Sequence, residues 1–294
     1  MSSGPRTARH STPRGDAAAL RRRRLIRTGV AVVLAAALIG GVFYAGARLL
    51  SGAGGRISGT GPSEPAPLLP GAPTVTVPPK QPAASAPGTG YDVSYPQCGR
   101  SLPSKAAFGI VGVNGGAPLT SNKCFGAQFD WARGLPGRAV YINTSWSGTG
   151  DPVEYGRRLV TDAIERERAA GVRGVSMWWL DVELANTWNG TQQENATVLA
   201  AMAAQLQDAG VRVGIYSSPA MWAEIAGDWN PGLPVWNATG PGTRALARAS
   251  CSESFAGSTS GMVQWVQKSG TRLLDHNEIC PAWKNRAGDL LDVS

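Results

Sequence analysis

The sequence predicts an α/β domain over residues 91–294, preceded by a single transmembrane helix and a disordered linker. Three observations carry this expectation. Short β-branched runs alternate with helical patterns through the last two hundred or so residues. Several of those runs are apolar almost without a break, as strands are when both faces of a parallel sheet are covered. Ahead of them lie a charge-free apolar stretch and then a segment dense in Pro and Gly. A small TIM-like (β/α) barrel and a doubly wound sheet both satisfy the alternation, and periodicity alone does not choose between them.

The N-terminal elements come first. Residues 1–27 hold eight Arg and one Asp, a balance of +7. The whole chain has 28 Lys and Arg against 20 Asp and Glu, so residues 28–294 hold 20 against 19, or +1. The basic character belongs to the tail, and it gives no argument for nucleic-acid binding by the folded part. The twenty residues 28–47 contain no charge, and a helix of that length spans roughly 30 Å, one hydrocarbon core. The Arg cluster should stay cytoplasmic. The span 28–50 therefore reads as a signal anchor, with the alternative of a signal peptide cut near Ala45–Ala47. Either way the remainder is extracytoplasmic, tethered to the cell membrane or secreted.

Residues 51–90 contain nine Pro and eight Gly. Such a segment cannot bury a core and reads as a linker. All four cysteines, Cys98, Cys124, Cys251 and Cys280, lie beyond it. An even count in an exported domain suggests disulfides, and four cysteines allow three connectivities. Nearest-neighbour pairing, Cys98–Cys124 and Cys251–Cys280, is the expectation. No C-x-x-C occurs, and His276 is the one histidine after the linker, so a His-based metal site has no support. A Ser-His-Asp arrangement would have only His276 to use, and there is no G-x-S-x-G.

In the domain itself, residues 108–114, 138–146, 175–183, 211–218, 233–240 and 261–267 read as strands. Residues 152–171 and 195–210 read as helices, each ending at a Gly. The third of those strands, VSMWWLDVE, ends in two carboxylates. In a strand, alternate side chains share a face. Asp181 and Glu183 then lie with Trp179, opposite Trp178, Leu180 and Val182, with Cα atoms roughly 6.6 Å apart. Neighbouring carboxylates disfavour double ionisation, so one pKa should rise. A protonated acid beside an ionised one is what glycosidic cleavage needs. A solvated strand end capping the next loop is the plainer reading of the same residues.

Five stretches widen the choice: GYDVSYPQCG (90–99), WWLDVE (178–183), VGIYSSPAMW (213–222), VQWVQ (263–267) and DHN (275–277). Their order resembles that of the motifs in glycoside hydrolase family 25, the lysozyme-like N-acetylmuramidases. The resemblance covers essentially all of 91–294 and is to a divergent bacterial branch. It implies a short, irregular β/α barrel with an acidic groove at the C-terminal ends of its strands. It implies that Asp92 is the first-strand acid, that Asp181 and Glu183 are the D-x-E pair, and that Asp275 is the last-strand acid, followed by Asn277. Glu183 would be the proton donor, and Asp181 would assist through the substrate's own N-acetyl group. Asp92 and Asp275 would add field and bind hydroxyls. Tyr216, Trp236 and Trp265 are candidates for sugar subsites and equally for the core, and Asn277 is a candidate substrate contact. The segment YPQCG departs from the family's run after the first acid. The implied function is cleavage of β-1,4 bonds in peptidoglycan or a related cell-wall polysaccharide, with no metal or organic cofactor. The alternatives are a catalytically silent barrel that binds or scaffolds wall glycan, and a glycosidase for another polysaccharide.

Overall fold

The computed structural model describes residues 68–76, 88–269 and 272–293. The basic tail 1–27, the apolar span 28–50 and the linker residues 51–67 and 77–87 lie outside them. Among the described residues no helix is long and apolar enough to cross a membrane.

Strands β1 (Gly90–Val93), β2 (Phe108–Gly112), β3 (Gly137–Asn143), β4 (Met177–Asp181), β5 (Arg212–Ser217) and β6 (Val235–Pro241) pair in chain order, all parallel. The two-residue β7 (Ser254–Phe255) turns back onto β8 (Ser258–Ser269). Strand β8 lies parallel to β6, and β9 (Arg272–Ile279) runs antiparallel to both β8 and β1. That last pairing closes an eight-stranded ring, so the alternation resolves as a barrel rather than a doubly wound sheet. Strand β10 (Asp292–Val293) adds antiparallel to β3 outside the ring.

The barrel is irregular for identifiable reasons. Ser269 of β8 pairs with Arg272 of β9, and two intervening residues leave no room for the crossover that a parallel neighbour needs. Between β1 and β2 the chain makes only the 3₁₀ turn Tyr95–Gln97. Elsewhere helices cover the strands: α1 (Phe125–Arg133), α2 (Pro152–Ala169), α3 (Gln192–Asp208), α4 (Pro219–Ile225) and α5 (Arg244–Ala249). The two long helices have strong start signals. Asp151 accepts from the Val153 and Glu154 amides, with Pro152 behind it. Thr191 and Glu194 form a reciprocal capping box. Each of these helices is followed by a glycine with positive φ, Gly171 at +75° and Gly210 at +79°.

The strand register sets what lies inside the barrel. Tyr141 is opposite Trp179, Trp179 opposite Gly214, Tyr216 opposite Trp236, and Trp236 opposite Met262. Trp236 packs against Trp179, Tyr216 and Tyr141 at ring-centroid distances of 5.7, 4.5 and 6.4 Å. Gly214 is what admits Trp179: a Cβ there would lie 2.4 Å from the indole ring. Trp178, Leu180 and Val182 face outward into the layer between sheet and helices, as the alternation required. Below the aromatic layer, Arg212 pairs with Asp292 at 2.7 Å, and Asp292 also accepts from the Ser176 backbone amide at 2.9 Å. This polar cluster joins the C-terminal segment to β5 and the residue before β4.

Both disulfides have the nearest-neighbour pairing, Cys98–Cys124 and Cys251–Cys280, across sequence separations of 26 and 29. The first ties the turn after β1 to the start of α1. The second ties the end of β9 to the turn after α5.

Residues 68–76, inside the segment read as linker, lie against α3. The Leu69 amide donates to Thr197 Oγ1 at 3.2 Å, and the Thr76 amide to Gln207 Oε1 at 3.0 Å. The Gln207 side chain donates back to the Thr76 carbonyl. Leu68 and Val75 pack on the core. The reason lies in α3 itself, whose run from Asn195 to Ala204 is buried without interruption. A helix apolar all round needs cover on more than one side. Removing residues 68–76 should uncover part of α3 at a cost of about 2 kcal/mol, given two partly buried apolar side chains. A chain of residues 88–294 should therefore melt about 5 °C below one of residues 68–294. Equal melting temperatures by calorimetry would show that the strap contributes nothing.

Candidate active site

The site stands at the end of the barrel where the parallel strands finish. Strand β4 ends at Asp181. Pairing with β5 continues past it: the Val182 amide donates to the Tyr216 carbonyl at 2.8 Å, and Ser217 Oγ to the Val182 carbonyl at 2.7 Å. The strand alternation therefore carries on to Glu183, which shares the inner face with Asp181. The loop beyond is pinned. The Glu183 carbonyl accepts the Asn186 amide at 3.1 Å and the Trp188 indole at 3.0 Å.

Four carboxylates converge there. Asp92 on β1 is directly opposite Asp275 on β9. Asp181 lies beside Asn143 on β3 and Tyr216 on β5. Asp92 and Asp181 are buried, whereas Glu183 and Asp275 are half-buried. Asp92 Oδ1 accepts from Asn277 Nδ2 at 2.7 Å and from Gln264 Nε2 at 3.0 Å. Asp181 Oδ2 accepts from Asn143 Nδ2 at 2.5 Å. The other oxygen, Asp181 Oδ1, is buried and has no hydrogen-bond partner.

Burial dominates the electrostatics. It pushes every one of these carboxyls above the usual carboxylate range. Glu183 is raised to about 7, by burial first and then by the negative charge of Asp275. Asp275 is raised to about 6 by burial. Asp92 is raised well above its ordinary value by burial and Asp275, against the pull of its two amides. Asp181 is raised well above by burial and Glu183, against the Asn143 hydrogen bond. The phenols of Tyr141 and Tyr216 are raised as well, chiefly by burial and then by the acids, so both remain neutral donors. Among the described residues no group of three or more His, Cys, Asp and Glu is arranged to hold a metal ion.

The structure brings together Asp92, Asp181, Glu183, Asp275, Tyr216, Trp236 and Asn277, but three of the expected substrate contacts need correction. Trp265 is not at the site. It lies on the outer face of β8, 2% exposed, stacked on His276 at 5.2 Å. The inward residues of that strand are Met262 and Gln264, and an odd offset turns Trp265 away. Trp236 faces inward but is only 1% exposed, so it has no free ring face to offer a sugar. Asn277 is fully buried, with both ends of its amide engaged, by Asp92 and by the Trp236 indole. His276 faces outward beside Tyr91 and Trp265 and takes no part.

Gln264 and Asn143 were missed in the sequence. Each is an amide on the inner face of its strand, beside apolar neighbours. Gln264 sits inside VQWVQ, between Val263 and Trp265.

The chain is similar in sequence and in fold to known proteins. The family model for "Lysozyme-like protein 1" matches residues 122–263. That stretch includes Asp181 and Glu183 and leaves Asp92 and Asp275 outside. A probable GH family 25 lysozyme 4 of Dictyostelium discoideum is 32% identical over 72 residues, 24% of this chain and 33% of that protein. The chain thus matches about a third of the length of this curated relative. The spore cortex lytic enzyme SleM of Clostridium perfringens superposes with a TM-score of 0.52 at 15% identity, covering 72% of this chain and 71% of that one. At that identity the likeness is one of fold. GHIP, a glycosyl hydrolase 25 of Streptococcus pneumoniae participating in host cell invasion, aligns with a TM-score of 0.49 at 20% identity, over 70% of this chain and 92% of that one. The barrel of this chain is similar to the domain of glycoside hydrolase family 25.

Proposed function

We propose that the domain hydrolyses β-1,4 glycosidic bonds of peptidoglycan in the manner of an N-acetylmuramidase, outside the cytoplasm and held to the membrane by residues 28–50. One observation carries the chemistry. Asp181 and Glu183 share an inward face at the barrel mouth, and Glu183 is raised to about 7, so near neutrality it still holds a proton to give. Glu183 protonates the leaving glycosidic oxygen as the bond to the anomeric carbon breaks. The substrate's acetamido oxygen attacks that carbon. Asp181 Oδ1, buried without a partner, accepts the acetamido N–H and stabilises the positive charge that develops. Water then opens the cyclic intermediate, and Glu183 takes back a proton. Asp275 acts by its field, keeping the proton on Glu183. Two disulfides in the domain support an oxidising compartment. The apolar span behind an Arg cluster supports a cytoplasmic N-terminus.

Glu183→Gln should reduce release of reducing ends from purified peptidoglycan by about 10² to 10⁴ while the fold stays intact by circular dichroism. Asp181→Asn should be similarly damaging, and Asp275→Asn less so. If the unmodified full-length chain binds peptidoglycan but releases no reducing ends, and Glu183→Gln binds equally well, the domain is a silent glycan-binding barrel.

The pH profile follows from the same charges. Turnover requires protonated Glu183, so the rate should fall as pH rises through about 7. Near that pH Asp275 is largely ionised and adds to burial in holding the Glu183 proton. Asp275→Asn removes the repulsion and should move the alkaline limb to lower pH. A limb that stays in place, measured by initial rates from pH 4 to 9, would show that Asp275 does not act on Glu183.

A further inference from the structure

Two amides face Asp92, and each is oriented from behind. The Trp236 indole donates to Asn277 Oδ1 at 2.8 Å, and Asn277 Nδ2 donates to Asp92 Oδ1 at 2.7 Å. The Tyr216 hydroxyl donates to Gln264 Oε1 at 2.8 Å, and Gln264 Nε2 donates to the same Asp92 oxygen at 3.0 Å. An amide can present either its oxygen or its nitrogen, according to a flip. An indole N–H can only donate. With Trp236 behind it, Asn277 has one usable orientation: oxygen to the indole, N–H to Asp92. A phenol can donate or accept, but a reversed Gln264 would set its oxygen against the Asp92 carboxylate. Both relays therefore run the same way and end on one atom.

We propose that Trp236 and Tyr216 are positioning residues that hold Asp92, through Asn277 and Gln264, as an obligate hydrogen-bond acceptor at Oδ1. With Oδ1 held as acceptor by both amides, any proton on Asp92 is confined to Oδ2. The relevance to turnover rests on the hydrolase reading; the relay itself does not. It also gives the aromatic layer a task. A fully buried indole cannot stack on a sugar, but it can fix the sense of an amide.

The groups that bear on Asp92 are few. Asp275 faces it from β9, Asp181 from β4, and the phenols of Tyr141 and Tyr216 from β3 and β5. Burial and Asp275 push its proton affinity up, whereas the two amides push it down. Removing either relay takes away a downward influence, so the Asp92 carboxyl should titrate at higher pH.

The test uses the full-length chain with ¹³C at the aspartate carboxyl carbons, the Asp92 resonance being identified by its loss in Asp92→Asn. Trp236→Phe removes the indole donor and Tyr216→Phe removes a single oxygen. Trp179→Phe is the control. It deletes a neighbouring buried indole of the same layer, whose N–H has no hydrogen-bond partner. The Asp92 midpoint should rise in Trp236→Phe and Tyr216→Phe and stay at the wild-type value in Trp179→Phe. Turnover of peptidoglycan should fall about tenfold or more in the two relay variants. Should Trp236→Phe fail to fold, Tyr216→Phe decides. An unmoved midpoint in the relay variants, or an equal rise in Trp179→Phe, overturns the proposal. A wild-type chain that releases no reducing ends would defeat the hydrolase reading and leave the titration result standing.

Discussion

Strand β9 runs against both its neighbours, and its pairing with β1 is the contact that turns a sheet into a ring. The same pairing sets Asp275 directly opposite Asp92. Like charges facing one another across a strand pair are destabilising, so the closing seam of the barrel carries electrostatic tension. Two devices relieve it. Burial holds protons in the cluster, which lowers the total charge. Amide donors satisfy the acid that lies deepest on the seam. The residual repulsion then reaches Glu183 and keeps its proton in place near neutrality. A cost to stability at the seam is thus converted into a poised acid at the end of β4.

The aromatic layer beneath the acids makes this possible. Trp179, Trp236 and Met262 fill the barrel interior and are almost fully buried. Such a floor excludes water from one side of the site, and poor solvation is the largest cause of every shift in the cluster. The floor depends in turn on what the strands leave out. Gly214 has no Cβ, and any side chain there would collide with the Trp179 ring.

Much of this was legible in the sequence, and the gaps have physical causes. The D-x-E spacing placed Asp181 and Glu183 on one face, and the alternation of the flanking apolar residues gave the sense of that face. The two long helices announced themselves through Asp151–Pro152, the Thr191 and Glu194 pair, and their terminal glycines. Strand β9 gave no such signal. Its inner face carries Asp275 and Asn277 and its outer face His276 and Glu278, so it shows no apolar period to read. Trp265 is as consistent with the core as with a sugar platform until parity is known, and the parity that turns it outward turns Gln264, one position away, inward. Ring closure depends on pairs far apart in the chain, and local patterns do not encode it. The strap at residues 68–76 hid within a Pro-rich composition, although α3, with its long apolar run, required a cover from somewhere.

The alternation at the end of β4 has a consequence for how such a chain can change over generations. Val182 fills the outer layer while the acids on either side of it face the cavity. Inserting or deleting one residue there would throw Glu183 into the apolar layer and Val182 into the acids. Length changes in this stretch are therefore closed to neutral drift, whereas exchanges of one side chain for another of similar shape are open. A lineage can lose the chemistry by a single nucleotide change and keep the barrel. The reverse step is equally short, so silent and active forms of this architecture are neighbours in sequence space.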